Sequence, residues 1–544
     1  MGRRKAHEDD LSQKPQENSS ESRKNSVVFR ALTMSAGTFS SRLLGLVREM
    51  LFAALFDRTM TDAFMAAFKL PNLFRRLLGE GSLAVSFQPL YVDAQVHDPL
   101  RAKKLRDSMH LFLVVVLSLL TVLGFLFARE FLGLILDADY VARVEAFEAT
   151  VRMAKIMFGF LFFICLFAYY MALLNAHGAF GWAAVAPVFF NISLIISTLL
   201  PPEILPVRGD TLALGVLVGG FLQMFVLIRP LRELGYFPSL SGDFRNPDLL
   251  RVLRNMLPGF LGLGLMQITM LVNMAFASAL GEGAISYINW ADRLLELPLS
   301  LISVSLGTAL LPTLAEQWAR GERGRMVQTS ERTLSLNFYV AAMAAVGLCA
   351  LSEPIVRLLF ERGRFTSEDS RAVKAVIEVY ALTMIPVSGV RVLAPAFYAA
   401  KNTWYPAVIS GVGLLAHILL APMFMKQGGL VGLNLSSFIS AMINFGLLVL
   451  GFQLLLEKFL WKTFFAKTLK TAAAAAVMTL AMLGVSRALG ELLEHPGPLL
   501  WASQILLAGT FGVIIYLGIS FQLKHDESHV FLNRVLLKLK LKRG

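Results

Sequence analysis

A chain of 544 residues with 56% hydrophobic and 16% charged residues, and a mean hydropathy of +0.62, has too little charge to clothe a water-soluble surface. Backbone amides in lipid find no water, so such a chain crosses as helices or as a closed barrel, and its apolar runs are helix-length and do not alternate, which excludes the barrel. The net charge of +13 is explained by basic loops beside an anionic leaflet and calls for no nucleic-acid partner.

Taken in chain order, residues 1–27 are rich in Ser, Glu, Lys and Gln, lack the apolar core of a signal peptide and read as a disordered cytoplasmic tail. Apolar stretches of spanning length follow near 28–56, 61–92, 109–129, 148–175, 179–200 and 211–229. Eight more lie near 254–280, 284–315, 333–360, 376–400, 403–425, 428–456, 468–490 and 498–523, so the expected fold is an all-α integral membrane protein of about fourteen transmembrane helices. Cys165 and Cys349 sit inside spans as small apolar fillers, and neither a disulfide framework nor a metal site is implied.

Lys and Arg concentrate on one side of these spans. They include Arg3, Arg4 and Lys5 of the first tail, Arg101, Lys103, Lys104 and Arg106, then Arg229, Arg232, Arg245 and Arg251. Downstream come Arg320, Arg323, Arg325 and Arg332, then Lys458, Lys462 and Lys467, then Lys524, Lys538, Lys540 and Lys542. The opposite loops carry Asp137, Asp139, Glu203, Asp210, Glu491 and Glu494, and only the loop from Glu361 to Asp369 is mixed. Both termini are therefore expected in the cytoplasm.

A weak internal repeat links spans 1 and 2 to spans 7 and 8. Phe52-Ala53-Ala54-Leu55 matches Phe276-Ala277-Ser278-Ala279; Pro71 follows the first and Pro298 the second, and a further proline, Pro89 or Pro312, closes each segment. Six spans separate the copies, so the two halves should be related by an axis along the membrane normal, a layout transporters use, with the last two spans outside it.

Most spans are clean, with no Asp, Glu, Lys or Arg in Leu111–Ala128, Ala179–Leu200, Asn255–Leu280, Thr403–Met425 or Gln427–Leu456, whereas three carry charge clusters. Span 1 carries Arg42, Arg48 and Glu49; span 2 carries Asp62, Lys69, Arg75, Arg76 and Glu80; span 8 opens with Asp292, Arg293 and Glu296. A charge at mid-bilayer costs on the order of 3 kcal/mol, so these residues should face a watery cavity or one another. Arg42 and Arg48 lie about 9 Å apart in rise and about 120° apart in angle, so they do not share a face. Arg42 can line the cavity while Arg48 either converges on it or pairs with an acid such as Asp62; Arg293 and Glu296, three residues apart, can pair on one turn. Arginine suits a pyrophosphate, because its planar fork donates two parallel hydrogen bonds. The competing reading is that such arginines snorkel to headgroups; it is preferred for Arg30 and Arg76, the cavity for Arg42, and Lys69 fits either.

The run from Ser41 to Glu49 (SRLLGLVRE), Thr61-Asp62-Ala63-Phe64, Phe68-Lys69-Leu70-Pro71-Asn72-Leu73-Phe74-Arg75-Arg76 and Ala291-Asp292-Arg293-Leu294-Leu295-Glu296 resemble the MurJ (MviN) family. So do Gly363-Arg364-Phe365-Thr366 and the run from Leu393 to Tyr398. The resemblance extends from about residue 28 to the last span. It implies a flippase of lipid II, the undecaprenyl-pyrophosphate-linked peptidoglycan precursor, within the superfamily of multidrug, oligosaccharidyl-lipid and polysaccharide exporters. It also implies substrate-binding roles for Arg42, Arg48, Asp62, Arg75, Arg293 and Glu296, and a layout in segments: an N-lobe (28–245), a C-lobe (246–460), a helix pair forming a lipid-tail groove (461–524) and a basic cytoplasmic tail (525–544).

The expected partners are lipid II, membrane lipids and the peptidoglycan synthesis machinery, in the bacterial inner membrane. No cofactor is expected; coupling to a monovalent cation or to the membrane potential both remain open, since spans 7, 11 and 12 hold no acid and offer only Asn273 and Asn444 as oxygen donors. A drug exporter of the same superfamily should show a more acidic cavity, and a membrane glycosyltransferase should show carboxylate metal ligands or a large catalytic loop. A non-transporting scaffold leaves the intramembrane charges unexplained.

Overall fold

The computed structural model describes residues 40–77, 82–201, 208–299, 305–459, 461–493 and 497–528. Arg30, Glu80, the N-terminal tail and all but four residues of the expected C-terminal tail lie outside them. The described chain is helical, in the order α1 (40–55), α2 (Arg58–Phe74), α3 (Ser82–His97), α4 (Pro99–Leu126), α5 (Ala128–Ile135), α6 (Ala138–Ala142), α7 (Val144–Ala176), α8 (Phe180–Leu199), α9 (Arg208–Glu233) and α10 (Pro247–Ser278). It continues through α11 (Ala284–Leu299), α12 (Ser305–Ala319), α13 (Arg323–Ala350), α14 (Ser352–Phe360), α15 (Ser367–Ala399), α16 (Trp404–Gly451), α17 (Trp461–Leu492), α18 (Pro498–Ser503) and α19 (Gly509–Gln522).

Eight of the described helices are long and apolar enough to cross a membrane. Span 61–92 corresponds to α2 and α3, and span 284–315 to α11 and α12; each of these four helices contains one proline, Pro71, Pro89, Pro298 or Pro312. Spans 403–425 and 428–456 form one helical run, turned at Gly429, whose φ of 51° suits a residue without Cβ.

The chain forms two compact units. The first comprises residues up to Phe52, Ala66–Leu132 and Glu145–Gly264. Here α8 packs along α9, and Gly219 permits the approach, since a Cβ there would meet the Phe190 ring at 2.8 Å. Lipid competes equally for apolar side chains, so such interfaces rest on close packing rather than on exclusion from water. Asp98 caps α4 by accepting from the amides of Leu100 and Arg101, with Pro99 in the first turn. At the same end of α4, Arg101 donates Nε and Nη2 to the two oxygens of Asp248, both at 2.6 Å, and Asp107 accepts from the amide of Ser239 at 3.1 Å. The segment between α9 and α10 is thereby fastened to α4. The hydrogen bonds and charge of Arg101 hold the Asp248 carboxyl below the usual carboxylate range, against the opposing effect of burial.

The second unit comprises Ala53–Met65, Gly133–Val144 and the chain from Leu265 onwards. Its core rests on α13, α15, α16 and α17, where Phe338, Phe397, Phe445 and Phe464 are buried together with Phe452 just beyond α16. The last helices dock on α13: Tyr339, Ala474, Met478, Met482 and Tyr516 form one buried cluster, and the Tyr516 hydroxyl donates to the Tyr339 carbonyl at 2.7 Å. A capping box at Thr366 and Asp369 starts α15.

Candidate substrate site

Arg42, Arg48 and Arg75 belong to the first unit; Asp62, Arg293 and Glu296 belong to the second. Each group has its own geometry.

On α1, Arg42 is exposed and Arg48 half-buried. Arg48 does not pair with Asp62. Its Nη2 donates to Glu49 at 2.5 Å and its Nη1 to Asn191 Oδ1 at 3.0 Å. Asn191, on α8, turns its amide nitrogen to the Ser41 carbonyl at 3.0 Å and hydroxyl at 3.2 Å, so it braces the start of α1 as well. Glu49 and Asn191 are buried, and together they fix the guanidinium at one orientation while lowering the cost of a charge inside a span. Asn191 escaped the sequence reading because it stands alone in a stretch without Asp, Glu, Lys or Arg. An amide isolated in an apolar span was the available signal.

On α2, Arg75 donates Nε to Asn72 Oδ1 at 2.8 Å. That bond holds one edge of the guanidinium and so fixes its plane, the geometry on which bidentate anion recognition depends. Arg75 and Arg76 are both half-buried.

Asp62 has a different kind of environment. It is 1% exposed, and its oxygens accept from the Gly283 amide at 2.6 Å, the Ser286 amide at 2.8 Å and the Ser286 hydroxyl at 2.6 Å. These donors are the first turn of α11, whose unsatisfied amides and positive dipole end attract a carboxylate. Asp62 thus caps α11 from another segment of the chain. Neighbouring contacts repeat the fastening. Thr59 donates amide and hydroxyl to Glu282, at 3.0 and 2.5 Å; Arg364 donates its amide to the Ala54 carbonyl at 2.7 Å and its side chain to Asp57 at 3.1 Å. Gly363 makes this approach possible: its φ is 59°, and a Cβ would lie 2.3 Å from the Ala54 oxygen.

Arg58, buried, donates to the carbonyls of Ala53 and Phe56 at 2.7 and 2.8 Å and stacks over Trp290 at 4.8 Å. Arg143 and the Asp137 amide similarly reach Ser278 on α10, at 3.1 and 2.8 Å. Of these clasp residues, the sequence pointed to a site role only for Asp62. Arg293 and Glu296 form the expected one-turn pair, at 3.2 Å, and both are exposed. Asn273, considered as a cation ligand, accepts from Ser437 at 3.5 Å.

Long apolar helices in two compact units, with arginines held rigidly inside them, define a polytopic membrane transporter. Among solved structures the fold is similar to an inward-facing multidrug resistance MATE family transporter of the MOP superfamily, with a TM-score of 0.62 at 14% identity over 80% of this chain and 95% of that one. A likeness at that identity is one of fold alone. It is also similar to lipid II flippase MurJ in an inward closed conformation, with a TM-score of 0.73 at 25% identity over 90% of this chain and 98% of that one.

The chain belongs to the lipid II flippase MurJ family, whose model matches residues 51–496. It is 44% identical to the probable lipid II flippase MurJ of Bdellovibrio bacteriovorus, over 92% of this chain and 95% of that protein. With the lipid II flippase MurJ of Burkholderia cenocepacia it shares 33% identity, over 78% and 84%.

Proposed function

We infer that this protein flips lipid II from the cytoplasmic to the periplasmic leaflet of the bacterial inner membrane. Its 44% identity over nearly its whole length to a probable lipid II flippase carries the reading. The residues supply the chemistry. A pyrophosphate headgroup cannot enter hydrocarbon with its charge uncompensated, and Arg42, Arg48, Arg75 and Arg293 provide guanidinium donors that stay charged at any relevant pH. Glu49, Asn191 and Asn72 hold two of them in place before substrate arrives. Glu296 keeps Arg293 beside a carboxylate that an anionic headgroup would displace.

Asp62 is a positioning residue in this scheme. It clasps residues 53–65 to α11, and alternating access requires that clasp to open and re-form as the substrate leaves. Residues 28–245 and 246–460 form the two lobes, and 461–524 guide the prenyl tail. No bond is made or broken in the substrate. The empty carrier is reset by a monovalent cation or by the membrane potential, which contributes about 2.3 kcal/mol per charge per 100 mV.

The test is complementation of a bacterium depleted of its own lipid II flippase. The wild-type chain should restore growth, whereas Arg42→Ala and Arg293→Ala should not, at equal protein level in the membrane. Failure of the wild type would overturn the substrate assignment; growth on either variant would return that arginine to a headgroup anchor.

A further inference from the structure

The ends of α13 and α17 and the residues after α19 enclose a cavity of about 330 Å³ that is remote in sequence from every arginine of the transport site. Gln328, Glu331, Arg332 and Leu336 line it from one face of α13, Thr463 and Lys467 from α17, and Asp526 and Glu527 from the segment beyond α19. Its lining carries both signs of charge.

Most of these charges are already matched. The Lys467 ammonium lies 3.2 Å from Asp526 and 3.4 Å from Glu527. The other oxygen of Glu527 is 2.7 Å from His525 Nδ1, and the far nitrogen of that ring reaches the Thr471 hydroxyl at 2.9 Å. Glu331 differs. It is 4% exposed, lines the cavity, and its Oε1 has no hydrogen-bond partner among the described residues. A buried carboxylate oxygen without a donor is costly, and native structures rarely retain one that nothing satisfies. An occupant bearing an N–H donor would satisfy it. Arg332, exposed on the adjoining position, leaves a cation for the occupant's anionic part.

We propose that this cavity binds a zwitterionic aminoalkyl phosphate, the headgroup chemistry of an ethanolamine phospholipid, with its ammonium donating to Glu331 and its phosphate facing Arg332. The lining discriminates among the alternatives. A free phosphate or a phosphatidylglycerol headgroup meets three carboxylates with no cation of its own. A divalent metal ion meets Lys467 and Arg332. A choline headgroup has the right charges but no N–H to give Glu331. The site lies where three helices end, and α17 beside it presents exposed Phe465 and Leu469, an apolar surface along which acyl chains can run.

The experiment uses native mass spectrometry on the full-length protein, equilibrated with an equimolar mixture of phosphatidylethanolamine, phosphatidylcholine and phosphatidylglycerol. The wild type should retain phosphatidylethanolamine over phosphatidylcholine by about tenfold, the effect of one charge-assisted hydrogen bond. Glu331→Gln should abolish that preference. Arg332→Gln, at an exposed position that does not endanger folding, should weaken retention of all phosphate headgroups while leaving the order unchanged.

Equal retention of ethanolamine and choline lipids by the wild type, or a preference unmoved by Glu331→Gln, would overturn the proposal. Soluble glycerophosphoethanolamine separates the two sources of this chemistry. If it raises Tm in detergent and displaces the lipid, the headgroup alone is the ligand and a free metabolite can occupy the site; if only vesicles containing phosphatidylethanolamine raise Tm, the source is the bilayer. If neither raises Tm, nothing of this chemistry binds.

Discussion

At the scale of single residues, Asp62 and Arg75 show how an intramembrane charge is made affordable and what it then can do. Every acceptor direction of Asp62 that the structure occupies is met by an N–H or O–H of Gly283 or Ser286. Asp62→Asn keeps the shape but turns an NH₂ toward an amide that also donates, so a donor faces a donor. The expected cost is about 1–3 kcal/mol, together with loss of the clasp. Growth in the complementation assay and the midpoint of thermal unfolding measure the two consequences; an unchanged midpoint would mean that the clasp is not formed in the resting protein.

Arg75→Lys should impair flipping more than Arg76→Lys, because an ammonium cannot replace a planar fork whose Nε is already tied to Asn72. Flipping of labelled lipid at matched protein level decides it, and equal behaviour of the two would mean that simple charge suffices. The charged members of the site were legible in the sequence because charge is rare in apolar spans. Their supports were not. Asn191 and Ser286 are ordinary polar residues whose importance comes from what the fold brings opposite them, and nothing in their own neighbourhood along the chain announces it.

At the scale of elements, hydrophobic runs located the long apolar helices, eight of which among the described residues can cross a membrane, but not the points where a helical run turns. Spans 403–425 and 428–456 read as separate, yet they form one helical run from Trp404 to Gly451, turned only by the positive φ of Gly429.

The junction of α4 with α10 yields a pH-dependent prediction. The Asp248 carboxyl is held below its ordinary value by Arg101, so the pair stabilises the fold above the unfolded carboxylate pKa of about 4 and loses that contribution as pH falls through the lower folded value. Arg101 is partly exposed, so the effect is screened and modest. Asp248→Asn should lower Tm by a few degrees at pH 7 and by progressively less below pH 4. A deficit that stays constant down to pH 3, followed by circular dichroism, would show that the pair's charge is not what fastens the segment.

At the scale of the whole molecule, the two halves inferred from the Phe52 and Phe276 repeat are not cut at one point of the chain. Residues 53–65 and 133–144, both from the first half, belong to the second compact unit through Asp62, Thr59, Asp137 and Arg143. A repeat visible in sequence reports common ancestry of segments, and which unit a segment joins depends on hydrogen bonds between residues more than 130 positions apart, which no local pattern encodes.

The direction in which this molecule sits in the membrane depends on its charged loops. Arg101, Lys103 and Lys104, then Arg229 and Arg232, then Arg320, Arg323 and Arg325, then Lys458, Lys462 and Lys467 all fall at ends that an even number of spans places on the same side as both tails. Moving basic segments across an energised membrane is opposed, so that side should be the cytoplasm. A reporter active only in the cytoplasm should therefore give signal when fused after Gly544 and when fused before Met1, and a reporter active only in the periplasm should give none at either end. Fusions after Asp139 and after Glu203 should show the reverse. The decisive case is the C-terminal fusion. A periplasmic signal there would require an odd number of spans, which would break the correspondence between the two halves.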